Sequence, residues 1–217
     1  MLTHSFSSIK MYENCPKRYY HQRIRKEVQD KGSDATIYGE RIHEALEHRL
    51  ESKVDLPKES EGYEVLCRGI EKTARGGTLL VEQKLTLSED LTPTGWWDGD
   101  AWVRSILDVL VLHNDTAVVM DWKTGKRRPD FTQLELFALQ VFSHFPDIDK
   151  VKSSFLWLKD MQMDSKIYYR DELGSMWGKL LQRISRIEQS LAHDKWPPKP
   201  SGLCNYCPAK NICVYAQ

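Results

Sequence analysis

The stretch that most constrains the fold is residues 106–126, ILDVLVLHNDTAVVMDWKTGK. Two runs of mainly Val, Leu and Met flank Asn114-Asp115, a pair that suits the positive φ angles of a tight two-residue turn. The pattern therefore predicts a β-hairpin with two apolar strands. With those residues as the turn, Asp108 lies directly opposite Asp121, and side chains paired in this way have Cβ atoms about 5 Å apart.

Two carboxylates that face each other between apolar strands repel, so a positive group is expected between them. Mg²⁺ or Mn²⁺ suits such a place, because these hard ions take a few protein oxygens and keep sites for water and phosphate. Lys123 points to the same face as Asp121 and is placed to stabilise a charged transition state or to orient an attacking hydroxide. The alternative is that both acids merely end strands beside an ion pair.

The rest of the pattern predicts a mixed α/β domain in the order helices, three strands, helix, strand, helix. We expect one domain over 1–217, with an N-terminal helical part (1–78), a core (79–170), and a C-terminal helix with a cysteine-rich tail (171–217). The first helix begins at Ser5 or Ser7 and continues past Tyr19 to Ile24. The other elements are predicted as helices at 37–50, 64–74, 130–142 and 173–191 and strands at 79–87, 102–112, 116–123 and 151–158.

The sequence has 31 basic and 31 acidic residues, so its net charge gives no indication of nucleic-acid binding. DNA contacts would have to come from local groups, because phosphates need positive charge where the backbone lies. Lys126, Arg127 and Arg128 follow the hairpin, and this run is either a solvated face or a phosphate contact. Trp96-Trp97 precede the hairpin and either pack at the rim of the core or stack on unpaired bases.

No run approaches the roughly 20 apolar residues that a membrane span requires. The N-terminus, MLTHSFSSIKMYENC, lacks the apolar segment of a signal peptide. We therefore expect no membrane association and a cytoplasmic location. In that reducing compartment the five cysteines are expected to be metal ligands or free thiols rather than disulfides.

Several motifs, in order along the chain, resemble those of the RecB-like PD-(D/E)XK nucleases. Asp108 with 121–126, DWKTGK, is similar to the catalytic core of that family. Residues 39–47, GERIHEALE, resemble its helix with a metal-binding histidine, and 133–138, QLELFA, its Q-x-x-x-Y motif. The opening 7–19, SSIKMYENCPKRY, also matches. Two departures are Leu107 in place of proline and Phe137 in place of tyrosine.

The resemblance implies a restriction-endonuclease-like mixed sheet flanked by helices, and a metal-dependent DNA exonuclease that prefers single-stranded ends. It implies a Mg²⁺ or Mn²⁺ site formed by His43, Asp108, Asp121 and the main-chain carbonyl of Trp122, with Lys123 and Gln133 as catalytic partners. Glu47 is placed to orient His43, and Glu82 either joins the metal site or faces solvent. Implied partners are DNA and proteins of recombination, phage replication or CRISPR adaptation.

Two other functions stay open: a non-catalytic DNA-binding or assembly module on the same fold, and a zinc-stabilised interaction module. The cysteines bear on both. Cys204, Cys207 and Cys213 supply three thiolates, one fewer than a closed metal centre needs, and Cys15 is the natural fourth. This one-plus-three pattern is similar to that of [4Fe–4S] nucleases of the RecB-like group, and zinc is the alternative. Such a centre would join the N-terminal helices to the C-terminal tail; Cys67 is expected to be an ordinary buried residue.

Overall fold

The computed structural model describes residues 2–216 and contains, within them, six α-helices and five β-strands. The helices are α1 (Phe6–Asn14), α2 (Pro16–Tyr19), α3 (Asp34–Glu51), α4 (Glu64–Thr73), α5 (Phe131–His144) and α6 (Leu173–Ala192). The strands are β1 (Thr78–Leu87), β2 (Val103–His113), β3 (Thr116–Lys123), β4 (Lys150–Trp157) and β5 (Gln162–Tyr169).

All five strands form one mixed sheet in the order β1-β2-β3-β4-β5. Neighbouring strands are antiparallel except β3 and β4, which run parallel because α5 crosses over between them. This architecture confirms the predicted mixed sheet flanked by helices. Within residues 2–216, no helix combines the length and the apolar character that crossing a bilayer would require.

The β2–β3 hairpin has the predicted register. Its ladder runs from Val109 opposite Met120 to His113 opposite Thr116, with Asn114 and Asp115 as the turn. Asn114 takes a positive φ of 49°, whereas Asp115 does not, so only one of the two expected positive φ angles is present. Continued by one residue, the same register brings Asp108 level with Asp121.

Two compact units make up the chain. The first extends over Ser33–Trp177, with the residues up to Thr3, and contains the sheet. Its core includes Ile42 and Leu46 of α3 packed with Val109 of β2 and Trp122 of β3. Cys67 of α4 lies in this core, as expected of an ordinary buried residue.

The second unit joins His4–Gly32 to the chain from Gly178 onward. Tyr19 and Trp196 stack with ring centroids 6.0 Å apart, and the Tyr12 hydroxyl donates to the main-chain carbonyl oxygen of Arg186. Arg183 holds the Glu13 carboxylate with two hydrogen bonds, of 2.6 and 3.0 Å. These contacts tie the N-terminal helices to the C-terminal part of the chain within this unit. The predicted single domain with three parts stays a prediction.

Two element predictions are wrong. The expected continuous N-terminal helix is broken at Cys15, whose backbone is extended (φ −163°, ψ 106°), because a residue before proline is disfavoured in the helical region. α2 then begins at Pro16 and passes into a π-helix at Tyr20–Ile24. The strand β5 was missed because seven of its eight residues are not buried, so its sequence lacks an apolar alternation.

Candidate active site

Helix α3 brings His43 to the site. Ser33 caps its N-terminus, and Ile42 and Leu46 pack in the core, which leaves His43 on the neighbouring side of the helix. One turn earlier, a Cβ on Gly39 would lie 2.9 Å from Thr124 Oγ1. Glycine at this position therefore lets α3 come close to the loop after β3.

His43, Glu82 and Asp108 form a compact group of potential metal ligands. One ligand atom from each lies within 4.8 Å of the others, and in residues 2–216 no other set of three His, Cys, Asp or Glu residues is recorded as this close. His43 Nδ1 is 3.6 Å from Asp108 Oδ1. The three residues line a cleft of about 390 Å³ with Glu47 and Ile106. Glu82, for which sequence reasoning left two roles open, thus lies beside the predicted ligands rather than alone in solvent.

A second group contains Asp121, Lys123 and Gln133. Lys123 Nζ is 2.5 Å from Asp121 Oδ2, and Gln133 Nε2 donates to Asp121 Oδ1 at 3.1 Å. Gln133 therefore holds the Asp121 carboxylate; its role as a catalytic partner stays a prediction. Asp121 is buried, so these two donors account for much of the stabilisation of its charge.

Asp108 connects the two groups. Its Oδ1 is the oxygen near His43, and its Oδ2 accepts a hydrogen bond of 2.7 Å from the Trp122 backbone N–H. The β2–β3 ladder ends at the Val109–Met120 pair. Beyond it, the Asp108 carboxylate accepts the Trp122 N–H in place of a main-chain carbonyl of β2. The Trp122 indole is buried in the core. The proposed role of the Trp122 carbonyl as a metal ligand stays a prediction.

Without a bound cation, burial and mutual repulsion disfavour the negative charges of this site. Burial, and then the negative charges of Asp108 and Glu47, raise the pKa of Glu82 to about 7. Burial and the charge of Asp108 also raise the pKa of Asp121, although Lys123 acts in the opposite direction. For His43, burial lowers the pKa, but Asp108 and Asp121 outweigh it and the net shift is upward. A cluster that resists ionisation and attracts positive charge suits a divalent cation with oxygen and imidazole ligands.

The structure locates two further features that the sequence singled out. Arg127 is not a free phosphate-binding group, because its guanidinium forms two hydrogen bonds, of 2.5 and 2.8 Å, with the Asp164 carboxylate. Only Lys126 and Arg128 of that basic run stay exposed without a recorded ion pair in residues 2–216. Phe137, which stands where the family motif has tyrosine, is buried.

Cys15, Cys204, Cys207 and Cys213 line one pocket in the second unit. Backbone N–H groups of Lys199 and Ser201 donate to the sulfurs of Cys15 and Cys204, both at 3.4 Å. No three of these sulfurs form a group within 4.8 Å of one another. Whether these cysteines hold an iron–sulfur cluster or zinc stays a prediction.

Among known protein families, one matches nearly the whole chain. The model of the PD-(D/E)XK nuclease superfamily matches residues 3–214, whereas no curated protein sequence matches the chain. A predicted exonuclease from Eubacterium rectale is 14% identical with a TM-score of 0.54, over 98% of this chain and 89% of that one. The alkaline exonuclease LHK-Exo from Laribacter hongkongensis, in complex with dAMP, is 13% identical with a TM-score of 0.38, over 89% of this chain and 91% of that one. The first likeness supports the fold alone, and the second is too low to support an argument.

Proposed function

The chain belongs to the PD-(D/E)XK nuclease superfamily, and on that basis we propose that it is a divalent-metal-dependent DNA exonuclease that acts on single-stranded ends. The observation that carries this proposal is that His43, Glu82 and Asp108 lie close together beside the Asp121–Lys123 ion pair. Burying so many carboxylates without a cation costs free energy.

The residues that would hold Mg²⁺ or Mn²⁺ are His43, Asp108 and Asp121, with the Trp122 carbonyl as a main-chain ligand and Glu82 as an added carboxylate. When bound, such a cation lowers the pKa of a water molecule and neutralises charge on the scissile phosphate. The donor set of carboxylates and one imidazole is the kind that these ions accept.

The protein groups around this site have separate tasks. Gln133 and the Trp122 N–H fix the Asp121 and Asp108 carboxylates by hydrogen bonds of 3.1 and 2.7 Å. Lys123 holds its positive charge beside the Asp121 carboxylate and is placed to stabilise the negative charge that develops on phosphate. Fixing these groups before DNA arrives reduces the reorganisation that the reaction needs.

For the cysteines we propose a [4Fe–4S] cluster held by Cys15, Cys204, Cys207 and Cys213. The shared pocket and the N–H donors to the sulfurs support a metal–thiolate centre. The choice of iron–sulfur over zinc rests on the resemblance of the cysteine pattern to that of the [4Fe–4S] nucleases. The role of the cluster would be structural, because it would link the N-terminal helices and the C-terminal tail of the second unit. The partners that follow from this function are DNA ends and proteins of recombination, phage replication or CRISPR adaptation, and the location that follows is the cytoplasm.

The test is digestion of labelled DNA by protein purified without oxygen. Linear single strands and duplexes, labelled at the 5′ or 3′ end, are compared with circular single strands in Mg²⁺, Mn²⁺ or EDTA. We expect metal-dependent release of short products from linear single strands and no cutting of circles. Equal digestion of circles would overturn the exonuclease assignment. Inactivity on every substrate, with the cysteine centre intact, would favour a binding role.

A further inference from the structure

The connection between β1 and β2 displays two adjacent indoles. Residues 88–102, SEDLTPTGWWDGDAW, contain Trp96 and Trp97, and Trp97 is 85% exposed. Trp102 of the same connection is buried and anchors it to the sheet. An indole as exposed as Trp97 contributes little to the core and is accessible to a ligand.

Hydrogen bonds hold the connection between β1 and β2 in a defined conformation. The N–H groups of Thr94 and Trp102 donate to the main-chain carbonyl oxygens of Thr86 and Leu87, at 3.0 and 2.9 Å. At the tip, the Asp98 carboxylate accepts from the Gly95 N–H at 2.8 Å, and a Cβ on Gly95 would lie 2.5 Å from Asp98 Oδ2. These hydrogen bonds present the indoles on a preorganised loop rather than a free one.

Cationic side chains stand over these indoles. The Arg104 guanidinium carbon is 5.2 Å from the Trp96 ring centroid and 5.7 Å from that of Trp97, and Lys84 Nζ is 5.9 Å from the Trp96 centroid. In the part of the chain that the structure describes, Arg104 has no recorded carboxylate partner, and its buried Nε lacks a hydrogen bond. Asp98 and Asp100 of the same connection accept hydrogen bonds from the Thr94 hydroxyl, which fix their positions but leave their negative charge.

This group lies in line with the candidate active site. Arg104, Ile106 and Asp108 alternate along β2 and so point to the same side of the strand. Ile106 and Asp108 line the same cleft, and Lys84 is paired opposite Ile106. At about 3.4 Å per residue, the Cα of Arg104 is about 14 Å from that of Asp108 along the strand, a length of about four stacked nucleotides.

We propose that Trp96, Trp97, Arg104 and Lys84 form a binding platform for single-stranded DNA. Unpaired bases stack on the exposed Trp97 indole, and Arg104 and Lys84 contact the phosphates of the strand that enters the cleft. Stacking of this kind needs a base with a free π-face, which a base inside a duplex does not offer. The inference rests on the proposed function in one respect only, namely that the cleft is the place of cleavage.

The experiment measures binding without cleavage. Fluorescence anisotropy of a labelled oligo(dT) of 12 nucleotides, and of a blunt duplex of the same length, is followed in EDTA with wild type, Trp97→Ala and Arg104→Ala. We expect each substitution to weaken oligo(dT) binding roughly 5- to 100-fold, with a smaller effect on the duplex. Tyr169→Ala is the matched control, because Tyr169 is an exposed aromatic residue of β5 and should leave binding unchanged.

The outcomes separate this inference from the proposed function. Circular dichroism confirms that each variant is folded, and digestion in Mn²⁺ at saturating DNA is measured in parallel. Weaker oligo(dT) binding by Trp97→Ala in an inactive wild-type protein would support the platform and refute the nuclease. An active enzyme whose Trp97→Ala variant binds oligo(dT) as tightly as wild type would overturn the platform alone, as would an equal loss on the duplex.

Discussion

Glu82 lies opposite Asp108 in the β1–β2 register, at a position where the regular ladder is interrupted. The pairs on either side are Val81 with Val109 and Gln83 with Leu107. Between them Glu82 adopts a φ of 47°, a left-handed conformation that costs a non-glycine residue about 1 kcal/mol or more. Strained backbone and two neighbouring carboxylates thus coincide where the metal ligands are proposed.

This relationship predicts that Glu82→Gln stabilises the metal-free protein at pH 8. The pKa of Glu82 is raised from 4.5 to about 7, so between those values the folded state holds a proton that the unfolded chain releases. Stability consequently falls as pH rises through this window, and the penalty is complete above it. Allowing for solvent screening of a half-buried group, removing the charge should gain about 1 kcal/mol, or about 2–4 °C in Tm.

Thermal unfolding with and without Mn²⁺ measures this effect. The gain should vanish at pH 5, where Glu82 is already protonated, and Mn²⁺ should raise the Tm of wild type more than that of the variant. Glu89→Gln, at an exposed position of the β1–β2 connection, is the control and should change neither quantity. A variant with lower Tm at pH 8 and an unchanged Mn²⁺ response would place Glu82 outside the metal site.

The close approach of Gly39 to Thr124 gives a second prediction. Alanine is favoured over glycine in a helix interior by about 1 kcal/mol, but here its Cβ would lie 2.9 Å from Thr124 Oγ1. Gly39→Ala should therefore gain nothing or destabilise wild type, yet stabilise a Thr124→Ala background by about 1 kcal/mol. Urea unfolding measures both free energies. In the control, Gly69→Ala in α4 meets no atom within 4 Å and should stabilise both backgrounds equally; equal effects of Gly39→Ala would refute the contact.

The cysteine pocket gives a third prediction. Anaerobically purified wild type should contain about four iron atoms and four sulfides per chain. Cys15→Ser should lose most of this iron and unfold at a lower temperature, because Cys15 comes from the other end of the chain than Cys204, Cys207 and Cys213. Cys67→Ala should keep the iron, since Cys67 is buried in the core of the first unit. Stoichiometric zinc in place of iron, in protein never exposed to oxygen, would refute the cluster.

The hairpin was predictable because its information is local. An apolar run on each side of Asn114-Asp115 fixed both the turn and the register, and thereby the positions of Asp108 and Asp121. The strand β5 was not, because an edge strand with exposed polar residues lacks the alternation that marks a half-buried one. The break at Cys15 had a readable signal in the following proline, which the helical spacing of the surrounding apolar residues concealed.

The finer contacts of the site depend on tertiary structure. The sequence left open whether Glu82 joins the metal site or faces solvent. In the structure its backbone takes a positive φ within β1, and the sequence around it gives no sign of this conformation. Gln133 reaches Asp121 because α5 returns across the sheet after β3, and Arg127 is drawn away by Asp164 on β5, a strand that was not foreseen. Residue types therefore identified the chemistry, whereas the pairing of particular side chains required the fold.

The most direct test of the central claim compares single-turnover digestion of linear single-stranded DNA in Mn²⁺ by wild type, Asp121→Asn and Asp115→Asn. Asparagine keeps the size of the side chain and removes a buried charge that burial and Asp108 disfavour, although it also loses the ion pair with Lys123. The Tm of each variant is therefore measured to verify that it is folded. Asp115 lies in the exposed turn of the same hairpin and is the matched control. We predict a rate two to four orders of magnitude lower for Asp121→Asn and an unchanged rate for Asp115→Asn, as roughly expected for loss of a catalytic group. Digestion by Asp121→Asn at the wild-type rate would contradict the assignment of the hairpin as the catalytic centre.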